Sequence, residues 1–331
     1  MSVFNPRPET QLHIGGSTYE FVPQRLLPGD AAEPCMIEGQ EGFIYVLRNV
    51  EYNNFWALKV LKPAYRSEQV VQVVDKLSQY QKTQGFYLSH RICITRPECD
   101  ELIRAFPALE YALLMPWLSW KTWAGLMRSP EASLAYTQEV ALDLARATVR
   151  ILCELEQRGC AHADISGGNI MYSPDFKKVE LLDLEGVYMP GLALPKRLSY
   201  GSPGYQHRKL GRQGQWTEYG DRFAGAMLLT EMLTWWHPVL RAQVPPDAVS
   251  LFLPEELQTQ GGIRWKIARD VLWSFAPALL DLFDRVWASS SLKQCPDFKQ
   301  WLALLSAPDV HVSRSSPHHP LGDSSPFNGS F

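Results

Sequence analysis

Residues 162–169 read His-Ala-Asp-Ile-Ser-Gly-Gly-Asn, and this stretch decides the fold that we predict for the chain. It follows a long helical pattern that ends at Gly159, a typical helix C-cap. The loop places the carboxylate of Asp164 five residues before the side-chain amide of Asn169. Such a loop can aim a carboxylate at a substrate hydroxyl, while the amide oxygen faces a cation. We therefore treat this loop as the candidate catalytic element.

A second carboxylate follows fourteen residues after Asn169. The apolar segment VELLDLEG, residues 179–186, reads as a strand that delivers Asp183 to a Glu-Gly turn. Magnesium prefers hard oxygen ligands and keeps several waters, so one Asp, one Asn and substrate phosphates suffice to hold it. Asn169 and Asp183 therefore have the chemistry that a magnesium site requires, although Asp183 could equally be a strand-end cap.

The first third of the chain reads as strands. The glycine turn EGQEG, residues 38–42, precedes FIYVLRNV and FWALKVLK, whose alternation and β-branched or aromatic content predict two antiparallel strands. Residues 67–82, SEQVVQVVDKLSQYQK, then show helical apolar spacing. After residue 129 the patterns are mainly helical, which indicates an α+β chain with two lobes.

Composition narrows the class of protein. The chain has 331 residues, is 46% hydrophobic and carries a net charge of −3, so no basic surplus suggests nucleic-acid binding. The N-terminus lacks a signal-peptide pattern, and no run of about eighteen apolar residues occurs. The six cysteines form no CxxC pair. We expect a cytoplasmic protein with neither nucleic-acid nor membrane partners.

In residues 162–169 and 179–186 the sequence resembles the protein kinase superfamily. The catalytic loop of that family reads H-R-D-x-x-x-x-N, and its metal-binding Asp lies in D-F-G. HADISGGN and Asp183-Leu184-Glu185 stand in those places. The other landmarks recur in the family's order: Gly39, Gly42 and Ile44 for G-x-G-x-x-G-x-V, Ala57 and Lys59 for V-A-I-K, Met115 to Trp117 for the hinge, Gly201 to Tyr205 for G-T-P-x-Y, and Asp221 for the start of the helix that supports the catalytic loop.

The resemblance implies a bilobal protein-kinase-like α+β fold, with a small β-rich N-lobe and a larger helical C-lobe. We expect an N-terminal extension over residues 1–33, the N-lobe over 34–115 and the C-lobe over 116–306. Residues 307–331 are rich in Ser and Pro, and we expect a disordered tail there.

The resemblance also assigns roles, with ATP and Mg²⁺ as cofactors. Asp164 would take the proton of the acceptor hydroxyl, and Lys59 would hold the α- and β-phosphates. The implied catalytic residues are Asp164, Lys59 and Asn169, and the implied metal ligands are Asn169 and Asp183. The implied nucleotide-binding residues are Gly39, Gly42, Ile44, Ala57, Lys59, Met115 and Trp117. In the family, a carboxylate on the helix after the lysine strand pairs with this lysine. Asp75 lies at a family-like distance from Lys59 in the sequence, whereas Glu68 has the longer side chain but lies closer to Lys59 than the family spacing. We favour Asp75.

Departures from the family pattern leave alternatives open. Ala163 replaces the Arg before the catalytic Asp, and Ser166 replaces the Lys of Ser/Thr kinases, as in the H-x-D-x-S-x-x-N loop of RIO-type kinases. Glu185 replaces the Gly of D-F-G, a swap similar to small-molecule kinases. We expect an ATP- and magnesium-dependent phosphotransferase resembling bacterial eukaryotic-like Ser/Thr protein kinases, with a hydroxyl-bearing protein as acceptor. A pseudokinase that binds nucleotide or protein, and a small-molecule kinase, are the alternatives.

Overall fold

The computed structural model describes residues 4–24, 33–259, 261–308 and 310. The strands of this part of the chain are β1 (Gln11–Ile14), β2 (Ser17–Phe21), β3 (Pro23–Gln24), β4 (Glu33–Pro34), β5 (Met36–Glu38), β6 (Gly42–Asn49), β7 (Phe55–Leu61), β8 (Ile92–Cys93), β9 (Leu113–Pro116), β10 (Lys121–Thr122), β11 (Ile170–Tyr172) and β12 (Val179–Leu181). The α-helices are α1 (Glu68–Leu77), α2 (Arg96–Ala105), α3 (Trp123–Met127), α4 (Pro130–Leu134), α5 (Gln138–Gln157), α6 (Asp221–Thr234), α7 (Pro238–Arg241), α8 (Pro254–Gln258), α9 (Ile263–Phe275), α10 (Pro277–Ala288) and α11 (Phe298–Leu305).

The N-terminal lobe is built on an antiparallel sheet in the order β1-β2-β6-β7-β9-β8, with β5 also paired to β6. The hairpin β6–β7 is its centre, and the register places Ile44 opposite Lys59. Strand β9 lies on the other side of β7, with Met115 opposite Ala57. The predicted hairpin after the glycine turn is confirmed, and it carries Lys59 into the middle of the sheet.

The sheet begins earlier than the boundary that we expected at residue 34. Strand β1 pairs with β2, and β2 pairs with the C-terminal half of β6. Leu12 and Ile14 alternate inward and are buried in the lobe's core. Much of the segment predicted as an extension is therefore part of the N-terminal lobe, because its short strands bury apolar side chains against the sheet.

The C-terminal lobe is helical. Helix α6 is buried along almost its whole length and packs against α5, which in turn packs against α11. The helical segment predicted from Ser129 to Gly159 is divided: Ser129 caps α4 and Thr137 caps α5 through side-chain oxygens. A small sheet in the order β10-β11-β12 also belongs to this part of the chain, and its strand β11 begins directly after the loop of residues 162–169. The α+β fold with two lobes is confirmed.

The tail expected for residues 307–331 lies almost entirely outside the described residues. Within the described residues, no helix combines the length and the apolar character that crossing a bilayer requires.

Candidate functional site

The loop between α5 and β11 presents Asp164 and Asn169 to one cleft. The Asn169 Nδ2 amide donates to the Asp164 backbone oxygen at 2.8 Å and to Asp164 Oδ2 at 3.3 Å. These bonds fix the two side chains against each other. They also use the amide nitrogen and leave Asn169 Oδ1 without a hydrogen bond among the described residues, so this oxygen is available to a cation.

Asp221, at the start of α6, holds the beginning of this loop. Its carboxylate accepts hydrogen bonds from the backbone amides of His162 at 2.6 Å and Ala163 at 2.8 Å. Ala163 has a φ of +64°, a left-handed conformation that a non-glycine residue adopts at a cost. Buried hydrogen bonds to a carboxylate are strong, so they stabilise this turn immediately before Asp164. The predicted support of the loop of residues 162–169 by the Asp221 helix is confirmed.

Asp183 follows β12 and turns back toward the N-terminal lobe. It has a left-handed backbone, with φ of 51°, and begins the 3-10 turn Leu184–Gly186. Its Oδ1 lies 3.0 Å from Lys59 Nζ, across 124 residues of sequence. The ion pair joins strand β7 to the loop after β12 and brings two sequence-predicted site residues together.

Lys59 is buried and has two further carboxylate partners. Glu185 Oε2 lies 2.9 Å and Glu41 Oε2 lies 3.1 Å from its Nζ. Burial opposes the charged amine, but the attraction of Glu185, Asp183 and Glu41 outweighs it and raises the pKa of Lys59. The ammonium form therefore persists over the whole physiological range.

The prediction that Asp75 pairs with Lys59 is wrong. Neither Asp75 nor Glu68 forms an ion pair with Lys59 in the described structure; the buried partner is Glu185, from the turn after Asp183. Burial opposes the Glu185 charge, yet Lys59 and Arg91 lower its pKa to about 2. The Arg91 guanidinium lies 2.7 Å from Glu185 Oε1. A longer carboxylate on the same turn as Asp183 thus takes the position that spacing alone assigned to Asp75.

The glycine turn closes over this network. Gly42 lies so near β7 that a Cβ would fall 2.4 Å from the Val60 carbonyl oxygen, so the close approach of two backbones requires glycine there. Gly39 donates its amide to the Gly42 oxygen at 2.8 Å, and a Cβ on Gly39 would make only an ordinary van der Waals contact with that oxygen, at 3.6 Å. Glu41, between them, turns its carboxylate inward to Lys59. Burial and repulsion from Glu185 and Asp183 raise the pKa of Glu41, although Lys59 opposes this.

The cleft below the turn has a volume of about 300 Å³. Sequence-predicted residues line it: Gly39, Gly42, Ile44, Lys59, Asp164, Asn169 and Asp183. The remaining predicted nucleotide-binding residues lie in the adjoining apolar cluster that Ile44 also contacts: Ala57, Met115 and Trp117. The Trp117 amide donates to the Phe55 oxygen at 3.1 Å, which keeps the segment after β9 against β7. The structure thus places a polar cleft and an apolar cluster side by side.

Two serines that sequence reasoning did not select contact Asp164. Ser199 Oγ donates to Asp164 Oδ1 at 3.1 Å, and Ser202 Oγ lies 3.5 Å from the same oxygen. Ser199 Oγ also accepts from the Gly201 amide at 3.0 Å. The sequence Ser-Tyr-Gly-Ser before Pro203 was the available signal, since it places one hydroxyl within the segment that resembles G-T-P-x-Y and another two residues before it.

Glu231 ties the same segment to the core of the C-terminal lobe. Its Oε2 accepts from Tyr205 at 2.5 Å and from the Trp123 indole at 2.9 Å, while Oε1 accepts from the Leu251 amide at 2.6 Å. Burial raises the pKa of Glu231 to about 7, although these hydrogen bonds oppose the rise. Gly167 packs onto Tyr205 and Trp123, where a Cβ would come within 2.9 Å of both. Through Tyr205 and Trp123, Glu231 therefore supports the position of Gly167 in the loop of residues 162–169.

The oxygen donors at the cleft fit magnesium. The oxygens available at the cleft are a carboxylate, Asp183, and an amide, Asn169 Oδ1, which are the hard ligands that Mg²⁺ accepts together with waters and phosphates. Asp183 is partly exposed, with 46% of its side chain accessible, so it can shift toward an incoming ion. The cation of Lys59 beside them suits a phosphate ligand.

Comparison with known proteins supports the fold alone. No family model matches the chain, and no curated protein matches its sequence. Among solved structures, the chain is similar to "Crystal structure of BubR1 kinase domain" with a TM-score of 0.55 and 14% sequence identity. The match covers 92% of this chain and 84% of that one. The fold of the chain is therefore protein-kinase-like, with a curled antiparallel N-terminal sheet and a helical C-terminal lobe.

Proposed function

We propose that the protein is an ATP- and magnesium-dependent phosphotransferase, acting on the hydroxyl of a protein acceptor as Ser/Thr protein kinases do. The observation that carries this proposal is the convergence of Lys59, Asp164, Asn169 and Asp183 on one cleft. A cation, a carboxylate with an accessible oxygen and two hard-oxygen donors are the side chains that phosphoryl transfer requires.

Each residue has a separate task in this proposal. The Lys59 ammonium binds the α- and β-phosphates, since its charge is held by neighbouring carboxylates. Asn169 and Asp183 hold magnesium, which when bound neutralises charge on the phosphates. Asp164 accepts the hydrogen bond of the acceptor hydroxyl, orients its oxygen and takes its proton.

The adenine base would bind in the apolar cluster beside the cleft. Ile44, Ala57, Met115 and Trp117 meet there, and Met115 lies opposite Ala57 across the β7–β9 pair. Apolar walls next to a polar phosphate site match the two halves of a nucleotide. The glycine turn, with Gly39 and Gly42, would cover the phosphates.

The segment around Gly201–Tyr205 favours a protein acceptor over a small molecule. Tyr205 is anchored to Glu231, which places this segment along the edge of the cleft next to Asp164. An extended acceptor peptide can lie along such an ordered segment.

A second candidate function rests on a different observation. Glu41 contacts Lys59, and Ser199 contacts Asp164, so both key groups already have partners from the chain itself. A pseudokinase that binds nucleotide or a partner protein without turnover is compatible with that arrangement.

Phosphoryl transfer tests the two candidates. The purified protein is incubated with ATP labelled at the γ-phosphate, magnesium and a generic protein acceptor, beside Asp164→Asn and Asp183→Asn. Label on protein that both variants lose supports the proposal. Label on small hydroxyl compounds alone indicates a small-molecule kinase. Nucleotide binding without any transfer indicates the pseudokinase.

A further inference from the structure

Of the carboxylates around Lys59, Glu185 alone is enclosed by protein. Its side chain is 9% exposed, against 36% for Glu41 and 46% for Asp183, and Lys59 itself is 3% exposed. Charge pairs near solvent are weakened by water and salt, while enclosed pairs keep their attraction. The contact between Glu185 and Lys59, at 2.9 Å, is therefore the one that fixes the direction of the Lys59 side chain.

Glu185 is itself held from the other side. The Arg91 guanidinium, 1% exposed, lies 2.7 Å from Glu185 Oε1. Arg91 Nε donates to the Leu88 carbonyl oxygen at 2.8 Å, which ties the guanidinium to the backbone before β8. The two carboxylate oxygens thus have separate cationic partners, one from β7 and one from this segment.

Helix α1 is attached to a different part of the molecule. Lys76 Nζ donates to the Pro190 oxygen at 2.7 Å, and Gln69 Nε2 donates to the Ala193 oxygen at 2.8 Å. Val73 and Leu77 face the core of the C-terminal lobe. The position of α1 is therefore set by packing and by the segment after Gly186, without an ion pair to Lys59 among the described residues.

We propose that Glu185 is the positioning residue of Lys59, with Arg91 as its anchor, and that the carboxylates of α1 are dispensable for phosphate binding. Because Glu185 lies two residues after Asp183, one short turn then delivers both the metal-ligating carboxylate and the carboxylate that orients the lysine. The part concerning phosphate rests on the proposed function.

The test compares Glu185→Gln with two matched controls, Asp75→Asn and Glu68→Gln. Each change removes one negative charge and keeps the shape of the side chain. The first readout is acylation of the Lys59 amine by a small reagent at one fixed pH without nucleotide, followed by mass spectrometry. The second is kcat and KM for ATP.

We expect Glu185→Gln to increase Lys59 acylation severalfold and to lower kcat/KM for ATP about a hundredfold, because a misplaced lysine no longer meets the phosphates. Both controls should stay within about twofold of the unaltered protein, as exposed charges do. Arg91→Lys keeps the charge on a shorter side chain, so it should lose less kcat/KM for ATP than Glu185→Gln and more than the controls. It serves as the second variant if circular dichroism shows that Glu185→Gln does not fold.

Equal acylation in Glu185→Gln and Asp75→Asn would overturn the inference, as would a loss of kcat/KM in Asp75→Asn or Glu68→Gln alone. The acylation readout needs no catalytic activity. If the unaltered protein transfers no phosphoryl group, the proposed function fails while the positioning of Lys59 is still decided.

Discussion

Ser199 Oγ lies 3.1 Å from Asp164 Oδ1 and donates a hydrogen bond to it. In the proposed mechanism an acceptor hydroxyl must make the same contact. The other Asp164 oxygen already accepts from Asn169 Nδ2. Ser199 therefore competes with the acceptor for the carboxylate oxygen that remains.

Removing the Ser199 hydroxyl should favour acceptor binding. In Ser199→Ala we expect the KM for the acceptor to fall about fivefold, since one hydrogen bond to a partly exposed carboxylate contributes about 1 kcal/mol. Ser202→Ala is the matched control, because its longer contact of 3.5 Å with the same oxygen predicts a smaller change. Steady-state kinetics with varied acceptor measures both. A raised KM in Ser199→Ala would show that the hydroxyl supports the site instead.

Glu41 contacts Lys59 where the nucleotide phosphates would bind. Replacing the Glu41 carboxylate by an amide in Glu41→Gln should tighten the binding of Mg-ATP severalfold. Repulsion between one carboxylate and the phosphates amounts to about 1 kcal/mol at a partly exposed site. Glu38→Gln is the control, since Glu38 pairs with Lys62 at 2.8 Å on the outer side of the turn. Calorimetric titration gives the dissociation constants. Weaker binding in Glu41→Gln would mean that Glu41 holds Lys59 in its working position.

Glu231 makes the stability of the fold depend on pH. Its pKa is about 7 in the folded state against 4.5 as the usual value, so the folded protein binds more protons between these limits. The free energy of unfolding should therefore fall as pH rises from about 5 through 7, by about 2–3 kcal/mol from this group. Urea titrations at several pH values measure it. The variant Glu231→Gln should flatten this part of the profile; an unchanged slope would contradict the assignment.

We expect Asp221 to stabilise the fold and to hold the loop of residues 162–169 in place. Asp221→Asn replaces a carboxylate that accepts from two buried amides, and the new amide group faces one of these donors without bonding to it. We expect a loss of about 2 kcal/mol in the free energy of unfolding. Asp281→Asn is the control, because Asp281 is exposed and pairs with Arg285 at 3.7 Å. Equal melting temperatures in the two variants would contradict this role.

Much of the fold and the site follows from local sequence. The alternation in residues 43–62 predicts the hairpin that carries Lys59, and the loop of residues 162–169 predicts the geometry of Asp164 and Asn169. These signals are local, because strand alternation and loop chemistry depend on neighbouring residues. The α+β class, the hairpin and the loop could therefore be predicted from local sequence, whereas the convergence of these side chains on one cleft was implied by the resemblance to protein kinases.

The ion pairs of Lys59 could not be predicted from local sequence. Glu185 and Lys59 are 126 residues apart, and their pairing depends on how the two lobes meet. Spacing from the resemblance pointed to Asp75, while Glu185 stood out only as a departure from D-F-G. The strands before residue 22 were missed because they are short and become stable only by pairing with β6.

In the proposed function, Asp164 is required for phosphoryl transfer in this cleft. The most direct measurement is the rate at which Mg-ATP is converted to ADP with label appearing on a hydroxyl acceptor, compared between the unaltered protein and Asp164→Asn at equal nucleotide occupancy. We expect transfer by the unaltered protein and a fall of at least about a hundredfold in the variant. Equal rates in the two proteins, or no transfer by the unaltered protein despite bound nucleotide, would rule out the proposed function.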